Sequence, residues 1–179
     1  MNIFQRIYKH YVTVHTHRKA VRQLCFKSGL YWQGLTHDLS KYSPVEFLNG
    51  VKFFTGTKSP HNGEREAYGY SKAWLHHKGR NKHHREYWLD RTNDQLTPLR
   101  MPSRYLVEMF CDRVAACKTY MKDSYTDDAP LSYYINHANG NGFHPDTAAE
   151  LKQYLEMLAT NGEDYTLAKL KDILKHESH

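Results

Sequence analysis

Apolar residues recur every third or fourth position along two long stretches of this chain. Nowhere do apolar and polar residues alternate far enough to define a strand. In the first stretch, Asn2 to Lys27, they fall at Ile3, Ile7, Val14, Val21 and Leu24. In the second, Ser103 to about Met121, they fall at Leu106, Met109, Phe110, Val114 and Cys117. Such spacing turns one side of each stretch toward a core. The expected fold is therefore all-α: a single compact helical domain over residues 1–179, with about seven to nine helices.

Punctuation residues divide the rest. Gly29 stops the first helix, and a short second helix is expected from Tyr31 to Lys41. Ser43-Pro44 reads as an N-cap with proline at the first helical position, opening a helix to about Phe54. Gly56 to Gly63 reads as a loop. A helix from about Glu64 ends near Lys78, with Gly79 as its C-cap. Asn81 is expected to cap a short helix carrying His83, His84 and Trp88. Pro98 and Pro102 bracket a turn, and Asp127, Asp128 and Pro130 mark a break. Asn139-Gly140-Asn141-Gly142 reads as a loop. Helices to about Thr160 and from about Asp164 to Lys175 follow, and His176 and His179 read as a frayed tail.

With 179 residues the chain has the size of one ordinary domain. Lys and Arg number 25 against 19 Asp and Glu, a net charge of +6. That balance leans toward anionic partners, either a small phosphorylated substrate or nucleic acid, and equally suits a merely basic surface. Cys25, Cys111 and Cys117 form no C-x-x-C pair and are odd in number, which speaks against a disulfide framework or a thiolate zinc site. They read as isolated buried thiols. No stretch approaches the roughly 20 apolar residues of a transmembrane helix, and Met1 to His10 is no signal peptide. A cytoplasmic protein without a membrane partner is expected.

Histidine is the unusual residue, with 13 copies. His37 and Asp38 are adjacent in Thr36-His37-Asp38-Leu39-Ser40-Lys41, after an apolar approach through Leu30, Tyr31, Trp32 and Leu35. Upstream, His10, His15 and His17 compete. Steps of −3, +4 and +7 from His17 reach Val14, Val21 and Leu24, so His17 faces the core side of its helix. The same steps from His15 reach Val12, Lys19 and Arg22, mainly a solvated face, whereas His10 shares the inner side. Downstream, Asp112 interrupts Phe110-Cys111-Asp112-Arg113-Val114, and steps along its face reach Tyr105, Met109, Ala115 and Ala116. A carboxylate among such side chains is expensive unless it is paired or coordinates something.

These residues resemble the HD-domain superfamily of metal-dependent phosphohydrolases, whose pattern is a His, a later His-Asp pair and a distant Asp. His17-Arg18-Lys19-Ala20-Val21, His37-Asp38-Leu39-Ser40-Lys41 and Cys111-Asp112-Arg113-Val114 carry the likeness, which covers about residues 10–122. C-terminal helices over about 130–176 lie outside it. The resemblance implies an HD-type helical fold and a metal held by His17, His37, Asp38 and Asp112. Mixed nitrogen and oxygen ligands suit a divalent transition metal (Mn, Fe, Co, Ni or Zn) or Mg. Dinuclear members of the superfamily add histidines between the pair and the last Asp. By resemblance His77, His83 and His84 would hold a second metal, with His76 a rival for His77.

Those histidines lie in His76-His77-Lys78-Gly79-Arg80-Asn81-Lys82-His83-His84. Lys78, Arg80 and Lys82 are candidates for binding a substrate phosphate, and the same segment also suits a solvated basic loop. Asp38 and Asp112 would fix and polarise a metal-activated water, Lys41 would steady the phosphate, and a histidine of the cluster, His83 for choice, would give the leaving group its proton. The expected function is hydrolysis of a nucleotide or related phosphate ester, whether monoester, cyclic nucleotide or diester. An HD-type di-iron oxygenase and a non-catalytic nucleotide- or nucleic-acid-binding module are the alternatives. Trp74, Trp88, Tyr68, Tyr70 and Tyr87 around the cluster suit core packing or a stacking pocket.

Overall fold

The computed structural model describes residues 1–56, 58–137 and 142–176. The fold is all-α, with nine α-helices and one short hairpin among the described residues. Helix α1 (Ile3–Lys27) starts on a reciprocal cap: Asn2 accepts from the Gln5 N–H, and the Gln5 side chain accepts from the Asn2 N–H. It packs along α6 (Ser103–Met121), which runs through the middle of the molecule. Leu106, Val107, Phe110, Cys111, Val114 and Ala115 of α6 are at most 1% exposed. Against them pack Val21, Leu24 and Cys25 of α1 and the buried leucines of α8 (Pro145–Asn161) and α9 (Glu163–His176). Each of the valines, leucines and Phe110 among them contributes roughly 1.5–3 kcal/mol by leaving water. This long-helix frame sets the rest in place.

The shorter elements depart from expectation where the chain bends. Helix α2 (Tyr31–Thr36) stops before His37 instead of running on to Lys41. Asp38 takes φ 52° and ψ 28°, and Leu39–Tyr42 continue as a 3₁₀ turn. Ser43 caps α3 (Pro44–Lys52) as expected. The single helix expected over 64–78 is two, α4 (Pro60–Tyr68) and α5 (Lys72–Lys78). Gly69, at φ 78°, ends the first of these, and α4 begins inside the segment expected to be a loop. Asn81 caps no helix: a 3₁₀ turn over Arg85–Trp88 follows His84. The hairpin β1 (Leu89–Thr92) and β2 (Gln95–Pro98) was not expected. Asn93 and Asp94 both have positive φ, the backbone of a tight two-residue hairpin turn. Helix α7 (Ala129–His137) precedes the expected loop at 139–142, of which 139–141 lie outside the described residues, as does His179. No described helix is long and apolar enough to cross a membrane.

Candidate metal centre

Adjacent residues in a helix diverge by about 100°, so His37 and Asp38 could not both face one point from a continuing α2. The break does this instead. His37 leaves the helix with ψ 124°, and Asp38 turns into the left-handed region, where a short polar side chain is tolerated better than most. Both side chains then point to the same buried place, with His37 2% and Asp38 1% exposed. Arg18 locks the bend by donating from Nε to the His37 carbonyl at 2.7 Å.

Around this bend side chains meet in three groups, one of them His37, His83 and Glu108. His17, His37, Asp38 and Asp112 bring ligand atoms within 4.8 Å of one another, and so do Asp38, His77, His83 and His84. Asp38 belongs to both. All seven residues expected as ligands are thus brought together, by α1, the α2 bend, α5, the turn after it and α6. The chain reverses between His77 and His83 because Asn81 fixes the turn: its side chain donates to the His77 carbonyl at 2.8 Å and to Ser40 Oγ at 2.9 Å.

Two carboxylates behind the histidines were not foreseen. Glu108 Oε1 lies 2.9 Å from His37 Nδ1 and 3.1 Å from His83 Nδ1. Glu46 Oε2 lies 2.8 Å from His77 Nδ1. An ionised carboxylate only accepts, so each Nδ1 carries a hydrogen, which leaves Nε2 as the nitrogen that can offer a lone pair to an ion once it is free of its own proton. Glu46 Oε1 takes His76 Nδ1 at 2.6 Å, which makes His76 a partner of Glu46 and no member of any of the groups. His10 is also elsewhere: it packs between Phe47 and Phe54 and against Gly50. Burial, helped by the charge of Lys41, lowers its pKa to about 4.

The centre is tightly charged. Burial pushes the Asp38 carboxyl up, but His37, Lys41, His77 and His83 outweigh it and hold it well below the usual range. Asp112 is held well below that range against burial by His17, 2.9 Å away, and His37. Burial resists charge on His37, yet Asp38, Asp112 and Glu108 raise its pKa to about 10. His84 is driven the other way by burial and by His83 and His77. Lys41 Nζ stands 2.7 Å from Asp38 Oδ2.

Several atoms nevertheless lack hydrogen-bond partners in this buried place: His37 Nε2, His83 Nε2 and both oxygens of Asp38. Lys41 reaches Asp38 Oδ2 as an ion pair without hydrogen-bond geometry. His77 Nε2 and His84 Nε2 are 2.8 Å apart, two nitrogens facing each other. Buried polar atoms left so are costly, and a cation among them would satisfy all of them. These His, Asp and Glu groups can hold a metal ion.

A model of a family described as a family of unknown function, DUF5662, matches residues 6–157. The chain belongs to that family. No curated protein matches the chain, and no solved structure does. The matched span of this DUF5662 member contains every residue of the two groups and both supporting carboxylates.

Two cavities adjoin the centre. One, of about 240 Å³, is lined by Lys41, Lys58, His61 and Tyr120 among others, and touches His17, Asp38, His77, His84 and Asp112. The other, of about 840 Å³, runs from His84 and Asp112 toward α7. Trp74 and Tyr120 line both. Lys78, Arg80 and Lys82 line neither, contrary to their expected role. Arg80 donates to the His76 carbonyl, and Lys82 lies over the rings of Tyr87 and Tyr105. Arg80 and Lys82 are exposed, and Lys78 is half-buried. His83 also loses its expected role as proton donor. It is 1% exposed, its Nδ1 is held by Glu108, and it lines neither cavity.

Proposed function

We propose that this protein is an HD-type metal-dependent phosphohydrolase acting on a nucleotide or related phosphate ester. The observation that carries the reading is the pair of ligand groups sharing Asp38, with Lys41 beside it on the wall of a cavity. His17, His37, Asp38 and Asp112 would hold one divalent cation; Asp38, His77, His83 and His84 would hold a second. When bound, such cations lower the pKa of a water and offset charge on a phosphoryl oxygen.

The chain's own groups supply the rest. Glu108 and Glu46 fix the imidazole rings, so the ligand nitrogens need no reorganisation. Lys41, half-buried and raised in pKa by Asp38 and Asp112 against its burial, stays cationic and can meet a phosphoryl oxygen. Lys58 adds a second positive charge to the same cavity. The leaving oxygen needs a proton, and the Tyr120 phenol on the cavity wall can give one. Trp74 and Tyr120 offer flat faces for the organic part of the ester.

The test is a hydrolysis panel with Mn, Fe, Co, Ni, Zn or Mg added singly. It spans mononucleotides, cyclic mono- and dinucleotides and generic phosphodiesters, with Asp38→Ala as control. Turnover that needs a metal and disappears in Asp38→Ala is expected. No turnover with any metal rejects the reading. Two bound irons and a reaction that stops without oxygen would establish the oxygenase alternative instead.

A further inference from the structure

Arg113 follows Asp112 on α6 but turns away from it, to the wall of the larger cavity. Its guanidinium lies 5.7 Å over the ring of Tyr134, and its buried Nε has no hydrogen-bond partner. No described carboxylate comes within ion-pair distance of it; Asp112 is taken up by His17 and His37. A second guanidinium, that of Arg85, lines the same cavity, its Nε 3.5 Å from Glu86. Asp128, the remaining carboxylate of the lining outside the centre, is exposed. The same lining includes the apolar and aromatic side chains of Met109, Pro130 and Tyr133.

A partly buried guanidinium with a free donor costs folding energy unless an anion completes it. Its planar fork suits a carboxylate or phosphate. We propose that the larger cavity receives the organic part of the substrate and that Arg113 binds a second anionic group on it. The substrate class is then an organic phosphate with two acidic ends, one at the metal centre and the other a carboxylate or further phosphate at Arg113. This rests on the phosphohydrolase reading for the first end only.

Isothermal titration of the zinc-loaded full chain tests it without requiring turnover. The probes are phenylphosphonate and its analogues bearing a para carboxylate, attached directly or through one or two methylene groups. At least one carboxylate analogue is expected to bind about tenfold tighter than phenylphosphonate, the gain of one charge-assisted contact. That gain should vanish in Arg113→Met and survive in part in Arg113→Lys. Equal affinity of all analogues for the native protein overturns the proposal, with no variant needed. So does an Arg113→Met protein that loses affinity for every probe alike. An Arg113-dependent gain with no binding of phenylphosphonate itself supports the anion site while counting against the phosphohydrolase reading.

Discussion

Glu108 shows how much of the centre depends on a residue outside the two groups that share Asp38. One of its oxygens holds His37, from one ligand group, and His83, from the other. Glu108→Gln keeps the shape but weakens both contacts and frees both rings to take the wrong tautomer. Metal affinity should fall about 10- to 100-fold, measured by competition with a chromophoric chelator. An unchanged affinity would remove Glu108 from the centre. The sequence did contain its signal. Asp112 stands out as a carboxylate in an apolar helix, and a step of −4 from it reaches Glu108 on the same face. Beside the apolar Met109 and Phe110 it passes for an ordinary helix glutamate. Glu46 is better hidden. Three residues after Ser43 it fits a capping box, and its N–H does bond the Ser43 hydroxyl, at 3.4 Å, while its side chain turns inward to His76 and His77. His17 and Asp112 were legible because a polar group on an apolar face needs a reason, and His37 through its adjacency to Asp38 after an apolar approach. His83 was legible as a ligand candidate only through the resemblance, and its proton-donor role failed because burial cannot be read from a histidine-rich loop.

At the scale of elements, the long helices were readable because periodicity averages over many residues. The breaks were not, because single φ angles decide them. The left-handed Asp38 and the Gly69 stop each turned one expected helix into something else. The hairpin went unseen since its strands are short and largely exposed, with no buried face to impose alternation. The contact between α1 and α3 gives a sharper handle. Gly50 of α3 lies so close to α1 that a Cβ there would stand 2.2 Å from His10 Nε2. That ring is boxed in by Phe47 and Phe54 and has little room to retreat. Gly50→Ala should therefore destabilise the protein by roughly 1–3 kcal/mol, read from urea unfolding. Because α3 also carries Glu46, the same variant should loosen metal binding. Full stability in Gly50→Ala would mean that the two helices approach less closely than described.

For the molecule as a whole, the ligand groups join segments far apart in sequence, from His17 on α1 to Asp112 on α6. An ion bound there ties together elements that otherwise meet mainly through the core, and it binds only the folded chain. At a free concentration 100 times its Kd, one ion adds about 2.7 kcal/mol to stability. For a domain of this size that raises the melting temperature by roughly 5–10 °C. Dialysis against a chelator should lower the melting temperature by that amount, and re-addition of the metal should restore it. Melting indifferent to both would show that the clustered histidines hold no ion.

Asp38 being common to both ligand groups has a consequence for the order of events. Without cations the pocket sets four carboxylates, Asp38 and Asp112 backed by Glu108 and Glu46, against the ammonium groups of Lys41 and Lys58 and the imidazolium of His37. A phosphate dianion approaching that surface meets net repulsion. With two divalent cations in place the balance changes sign, and the same dianion is drawn in. Substrate would then follow metal and never precede it. The first cation also takes much of the charge of Asp38, leaving the second to rely on imidazoles. Occupancy of that second position, and with it the attraction for substrate, would rise and fall with the free metal in the surroundings.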